Sequence, residues 1–437
     1  MLNMQETLVV LGGGAAGMSA ASRARRLRPD LRVVVIEATK MVSHAPCGIP
    51  YFVEGLFDDE NLFMTYTPSF FERERKIEMI MNTSAKEVNL DSRTVRLDSG
   101  KILEYDWLVI SLGAIPKTPQ NVNTDRVFYV HHPAHALELR KQLWSLNKIA
   151  IIGGGILGVE MAEALSSVGK KTILIHRGKY VLNKMFDEDL GNVATELIKK
   201  NVELHLNEET EEIGNGYVKT DKGKYQVDGV VLALGVLPNV AMFKGKLEIG
   251  ETGALKTNST METSMKGVYA AGDIAETTHV VSGKPVWMPF APVANKMGFV
   301  AGSNIGGKAT IFPGTVGNMI TKYGDMYMGK VGLSEIEAKQ AGYNPVSATI
   351  KAKTRARYYP GAKDIYVKLI ADEKSKKILG GQIIGGEEVL GRLDVISLAL
   401  MKGTNIEEMF FAEMGYLPAI SQVWDPITVA ARQLLKA

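Results

Sequence analysis

Residues 7–37 read TLVVLGGGAAGMSAASRARRLRPDLRVVVIE, and this stretch decides the fold. Thr7 to Leu11 is a short apolar run that stops at glycine. Gly12, Gly14 and Gly17 then stand at GxGxxG spacing. An alanine-rich segment continues to Leu27, Pro29 closes it, and Arg32 to Glu37 is a second apolar run ending in an acid. Strand, glycine turn, helix, strand is one βαβ unit. The glycines permit a tight turn and let a pyrophosphate approach backbone N–H groups at a helix N-terminus. Glu37 lies where an acid can accept hydrogen bonds from an adenosine ribose.

The pattern returns about 140 residues later, which points to two dinucleotide domains rather than a fine repeat. Lys148 to Ile152 leads into Gly153, Gly155 and Gly158, a helix runs to about Val168, and Lys171 to Ile175 is the second strand. This strand ends in His176 and Arg177 instead of an acid. A carboxylate there would bind the ribose diol of NAD and repel a 2′-phosphate. Its absence, with Arg177, Lys179 and Lys184 nearby, favours NADPH or tolerance of both coenzymes. The competing reading is a solvated basic loop.

Val227 to Leu234 runs into Gly235, and Gly267 to Ala271 runs into Gly272 and Asp273. An Asp at a strand's C-terminal end suits a ribityl hydroxyl of FAD. From about Pro313 the pattern becomes α+β. The expected fold class is α/β, with two Rossmann-like domains and an α+β C-terminal domain. The expected boundaries are 1–115 and 243–315 for the first dinucleotide domain, 116–242 for the second, and 316–437 for the C-terminal domain.

Composition narrows the function classes. The chain has 437 residues, 46% hydrophobic and 23% charged, ordinary values for a folded protein. Lys plus Arg is 51 against 48 Asp plus Glu, and a net charge of +3 gives no reason to expect nucleic acid or a membrane surface. There is one cysteine, Cys47, so neither an intramolecular disulfide nor a Cys-cluster metal site can form. A lone thiol without a visible export signal leads to the expectation of a cytoplasmic protein. His131, His132 and His135 are close in sequence but lack Cys or acid partners, so no metal is expected.

Both glycine units, with Ser111-Leu112-Gly113, Ala233-Leu234-Gly235 and Ala271-Gly272-Asp273, resemble the pyridine nucleotide-disulfide oxidoreductase family over nearly the whole chain. The resemblance implies FAD in the first domain, NAD(P)H in the second, hydride transfer between the two rings, and a homodimer. It implies cofactor contacts at Gly12, Gly14, Ala15, Gly17, Glu37, Ser43, Gly113, Gly153, Gly155, Gly158, His176, Arg177, Gly235, Gly272 and Asp273. Pro292 to Gly302 resembles the helix whose N-terminus points at the flavin, with Pro292 and Ala294 at its start. Glu160 resembles the acid near the nicotinamide. An exposed first-turn Glu is the competing reading.

The stretch 43–51, SHAPCGIPY, resembles the Ser-Phe-x-x-Cys signature of the single-cysteine branch, with His44 in place of Phe. The major disulfide reductases carry Cys-x-x-x-x-Cys, but Phe52 holds the second position here, so dithiol mechanisms are excluded. Peroxidase and water-forming oxidase members carry a histidine where this chain has Ala15, which argues against those activities. Cys47 precedes a helix expected near Pro50, whose dipole would lower the thiol's pKa.

With Tyr358-Tyr359-Pro360-Gly361 and Val423-Trp424-Asp425-Pro426, the motif resembles coenzyme A-disulfide reductases, including archaeal ones. That implies Cys47 resting as a mixed disulfide with CoA. It places Tyr358 and Tyr416 at the cysteine of the other subunit, and Arg23, Arg26, Ser43, Phe71 and Arg75 around CoA. Solvated cations and core tyrosines compete with those assignments. The chain carries no rhodanese-like module of the kind some persulfide-reducing relatives append, which tilts the expectation toward CoA disulfide. CoA persulfide, polysulfide and peroxide-forming oxidase chemistry are the alternatives. Lys351, Lys353, Arg355 and Arg357 alternate along an expected strand, so period two puts all four on one face, drawing in polyanions or merely facing solvent.

Overall fold

The computed structural model describes residues 5–436. The first sheet is parallel, with strands in the order Val268–Ala270, Trp107–Ile110, Thr7–Leu11, Arg32–Ile36, Glu78–Ile80. Leu8, Val9, Val10 and Leu11 are all fully buried. Burial on both faces is why this strand reads as an unbroken apolar run rather than an alternating one.

The second sheet repeats the plan in the order Glu203–Leu206, Lys171–His176, Lys148–Ile152, Gly229–Leu232, Val127–Tyr129. In each sheet the glycine-ending strand is central, and the chain leaves it first to one side and later to the other. That reversal opens a crevice at the strand's C-terminal end, the place where such sheets bind ligands.

The helix Ala15–Leu27 crosses the helix Ala291–Ile305 at close range. A Cβ on Gly298 would stand 2.1 Å from the Ala16 carbonyl oxygen, and one on Gly302 2.3 Å from that of Ala20. Only glycine allows this approach, and it brings both helix N-termini to one crevice.

The third sheet is antiparallel, in the order Met319–Tyr323, Met326–Gly332, Ile378–Gly385, Asp364–Asp372, Pro345–Lys353. Helices Val389–Lys402 and Pro426–Lys436 pack against it. Leu398 on the first of these helices, and Phe411, Val423 and Trp424 in the same domain, are exposed. Among the described residues no helix is long and apolar enough to cross a membrane.

One buried cation ties the second sheet's domain to the third. Lys368 Nζ lies 2.7 Å from Glu335, 2.9 Å from Asp189 and 3.5 Å from Asp187. Gln382 donates to Asp187 at 2.7 Å. Burial would push the Lys368 ammonium down, but its hydrogen bonds to Glu335 and Asp189 outweigh that and raise its pKa. Burial would raise the Asp189 carboxyl, yet Lys368 and Thr349 hold it below its ordinary value. A depressed carboxyl contributes stability above its unfolded pKa and loses it as pH falls through the folded one. Lys368→Met leaves three carboxylates without their cation and is expected to cost about 3–5 kcal/mol. Denaturation midpoints at neutral pH test this, and an unchanged midpoint refutes it.

Candidate active site

The crevice of the first sheet is a cavity of about 960 Å³. Its floor is the first glycine turn. A Cβ on Gly12, whose φ is +95°, would meet the Ser111 carbonyl oxygen at 2.3 Å, and one on Gly17 would meet that of Gly12 at 2.0 Å. Gly14, between them, has nothing within 4 Å of its Cβ position, so its open side faces the cavity. Two glycines close the turn and the third leaves room for a pyrophosphate. Gly113, with φ of +65°, is likewise open.

Glu37 is 7% exposed and holds the turn. Its Oε2 accepts from Gly13 N at 2.8 Å, and its Oε1 accepts from Thr39 N and Oγ1, both at 2.8 Å. Burial alone pushes the Asp273 carboxyl on the cavity wall up to about 6, the mark of an acid short of donors. Ala15, Ala291 and Ala294 bring two helix N-termini to the same wall, and Pro292 stands in the first turn of the second helix. Open glycine, donor-poor acid and paired helix ends fit a flavin dinucleotide.

The second glycine turn is built alike. Cβ atoms on Gly153 and Gly158 would lie 2.3 Å and 1.9 Å from the Ala233 and Gly153 carbonyl oxygens, whereas that of Gly155 meets nothing. His176 takes the place of Glu37: its Nδ1 accepts from Gly154 N at 3.1 Å. Burial lowers the His176 pKa, so the ring accepts as a neutral group. Arg177 is exposed beside it, and Gly235 has φ of +85° and an open Cβ side. A carboxylate is absent from the ribose position, and the turn fits NAD(P)H.

Cys47 sits at the cavity wall on the turn Pro46–Gly48, which runs straight into the helix Ile49–Glu54. Ser43, held with φ of +47°, donates its N–H to the Gly13 carbonyl at 2.8 Å and so ties the cysteine loop to the glycine turn. Although Cys47 is exposed, surrounding protein desolvates the thiol and pushes its pKa up; the Glu160 carboxylate adds to the rise, against the pull of the Cys47 and Gly48 amides. The expectation of a lowered pKa is therefore corrected. A six-residue helix offers little dipole, and the charge of Glu160 from the second domain opposes ionisation of the thiol.

That acid is unusual. Burial pushes Glu160 up to about 7, against a 2.7 Å hydrogen bond donated by Thr321 of the third domain. Tyr51, four residues beyond Cys47, is raised by burial and by Glu160. Thr321 and Tyr51 complete a group that sequence reading missed; Thr321 is 161 residues from its partner, and no local signal marks it. Glu160→Gln is expected to shift the pH profile of Cys47 alkylation downward, because removing a neighbouring negative charge favours the thiolate. An upward or absent shift refutes the coupling.

Two sequence models match in tandem, pyridine nucleotide-disulphide oxidoreductase over residues 6–298 and the dimerisation domain of the same family over residues 319–426. The chain belongs to the pyridine nucleotide-disulphide oxidoreductase family. As a member it is an FAD-dependent NAD(P)H oxidoreductase with a dimerisation domain. It is 45% identical to an NAD(P)H coenzyme A polysulfide/persulfide reductase of Pyrococcus horikoshii, over 99% of each chain. It is 28% identical to a coenzyme A disulfide reductase of Staphylococcus aureus, over 97% of this chain and 98% of that one. Among solved structures it matches a NAD-dependent persulfide reductase from A. fulgidus with TM-score 0.95 and 33% identity, covering 98% of this chain and 83% of that one.

The residues expected around CoA differ in their exposure. Phe71 is 4% exposed and packed in the core, so it cannot meet an adenine from solvent; its neighbour Phe70, stacked on the exposed Tyr66, carries Arg75 over its ring. Arg23 turns onto the Ala291–Ile305 helix, donating to Ser303 Oγ at 2.9 Å and lying over Phe299, while Arg26 is exposed. Tyr358 and Tyr416 are exposed, and the neighbouring Tyr358 hydroxyl raises the Tyr416 pKa. Neither lines the cavity that holds Cys47.

The three histidines are held by local contacts, with His131 and His132 on the cavity wall. His132 caps the helix Pro133–Gln142 with His135, His131 bonds the Ala114 carbonyl at 2.8 Å, and His132 stacks edge-on with His44. Among the described residues no metal-holding cluster exists.

Proposed function

We propose that this flavoprotein reduces CoA persulfide or polysulfide with electrons from NAD(P)H, with Cys47 as its only redox thiol. One observation carries the reading: a single exposed thiol stands at the cavity wall beside the cradle, with no second cysteine anywhere in the chain. Such a thiol must exchange with a sulfur brought from outside. Sequence reading put CoA disulfide first. The relatives favour the alternative, since the persulfide and polysulfide reductase is 45% identical and the disulfide reductase 28%. The expectation drawn from a rhodanese-like module does not decide between the two, because this chain aligns with 99% of that persulfide-reducing relative.

FAD, when bound, supplies the electron transfer from nicotinamide to sulfur. The chain's residues do the rest. The two glycine turns seat the dinucleotides, and Asp273 and Glu37 accept from hydroxyls of the first. With CoA persulfide, Cys47 thiolate attacks the inner sulfur, the Cys47–CoA disulfide forms as hydrosulfide leaves, and two electrons with one proton then cleave that disulfide to Cys47 thiolate and CoA thiol. Glu160, poised to be half-ionised near neutrality, exchanges the proton that Cys47 must lose before attack. In a homodimer, Tyr358 and Tyr416 stand at the partner's Cys47 and hydrogen-bond the leaving sulfur. Arg23, Arg26 and Arg75 are the cations for CoA, and Ser43 positions the cysteine loop.

Anaerobic coenzyme oxidation tests the reading. CoA persulfide is expected to support faster turnover than CoA disulfide, with hydrosulfide released. Turnover with CoA disulfide alone would restore the first expectation, and activity only under oxygen would point to an oxidase.

A further inference from the structure

The basic stripe at residues 351–357 does not form as an unbroken strand face. The strand stops at Lys353, and Arg355 turns away to pair with Glu388 at 2.9 Å. The following loop brings Arg357 back. Lys351, Lys353 and Arg357 then line one pocket of about 370 Å³ together with Asp364 and Gln422. Three cations face one carboxylate.

Asp364 organises the pocket rather than cancelling it. Lys351 and Lys353 both reach it, at 2.9 Å and 2.6 Å, across the antiparallel pairing of Lys353 with Asp364. The two ammoniums are thereby held side by side. Gln422 Nε2 donates to the Lys353 carbonyl at 2.8 Å, and Ala356 N bonds the Pro418 carbonyl at 3.2 Å. These contacts fix the loop against the 415–425 segment and close the pocket's other wall. Arg357 is exposed and has no acid partner among the described residues. The next residue is Tyr358, whose hydroxyl neighbours that of Tyr416.

A guanidinium and two clustered ammoniums around a polar hollow match the oxygens of a phosphate or pyrophosphate. The geometry points to a second anion site, on the dimerisation domain, that takes a phosphoryl group of the CoA-linked substrate; this assignment of the group rests on the proposed function. The site lies beside the tyrosine pair, so it holds the charged end of the substrate while the sulfur end meets Cys47. It stands apart from the cations of the first domain.

Calorimetry of the holoenzyme with inorganic pyrophosphate at low salt tests the site itself. Arg357→Glu is expected to weaken binding about tenfold, and Lys351→Glu similarly, as for loss of one charge-assisted contact. Arg357→Lys keeps the charge and is expected to stay within about threefold. Unchanged pyrophosphate affinity in Arg357→Glu, with circular dichroism like the parent, overturns the site. Steady-state kinetics tests the group: KM is expected to rise more for CoA persulfide than for inorganic polysulfide. Equal rises overturn the assignment to CoA. Lost pyrophosphate binding in a protein that turns over no CoA compound leaves the anion site standing and removes the proposed function instead.

Discussion

Cys47→Ser abolishes sulfur-dependent coenzyme oxidation, by about a thousandfold or more, and leaves NAD(P)H reduction of an artificial acceptor such as ferricyanide intact. A hydroxyl cannot exchange with a persulfide, and the chain holds no other sulfhydryl to substitute. The acceptor assay controls for folding and for both dinucleotide sites, because the thiol sits on the cavity wall and not on either glycine turn. Sulfur-dependent turnover in the variant would place the chemistry elsewhere and end the mechanism.

The second large effect separates the two cradles. Gly17→Val forces a side chain into the 2.0 Å gap to the Gly12 carbonyl oxygen, and Gly158→Val into the 1.9 Å gap to that of Gly153. Backbone cannot yield there without unwinding the first helical turn. The Gly17 variant is expected to purify without yellow colour. The Gly158 variant is expected to keep its colour while reduction by NAD(P)H slows about a hundredfold or more. Absorbance after purification and anaerobic stopped-flow reduction check the pair. The opposite assignment of colour and reduction would exchange the roles of the two domains.

Much of this was legible in the sequence because the deciding features are local. Each glycine turn follows its strand and precedes its helix within one short unit, and each glycine's job is backbone geometry, which spacing records. The antiparallel sheet was harder. Ile378–Gly385 is a fully buried central strand, yet it carries Gly380, Gly381 and Gly385 and so reads like a loop. A Cβ on Gly380 would meet the Leu333 carbonyl oxygen at 2.1 Å, so close backbone approach explains the glycine. Pro133 interrupts the histidine stretch, which disguises a helix in the sequence. There proline opens a helix at its first turn, and His132 serves as an imidazole cap.

The site's electrostatics were not legible, because they come from long range. Nothing near Cys47 in sequence announces that the charge of Glu160 acts on it, nor that Thr321 hydrogen-bonds Glu160. Phe71 and Phe70 are adjacent and chemically identical; only packing decides which ring goes inside. The basic stripe shows the same limit. Alternation predicted one face for four cations, but the strand's end and Glu388 redistributed them.

The solitary, accessible sulfhydryl also makes this protein its own gauge. With one such group per polypeptide, a colorimetric count on the native fold can range only between zero and one equivalent, and any fraction reports directly how many molecules are capped. Redox history becomes a stoichiometry that needs no peptide mapping.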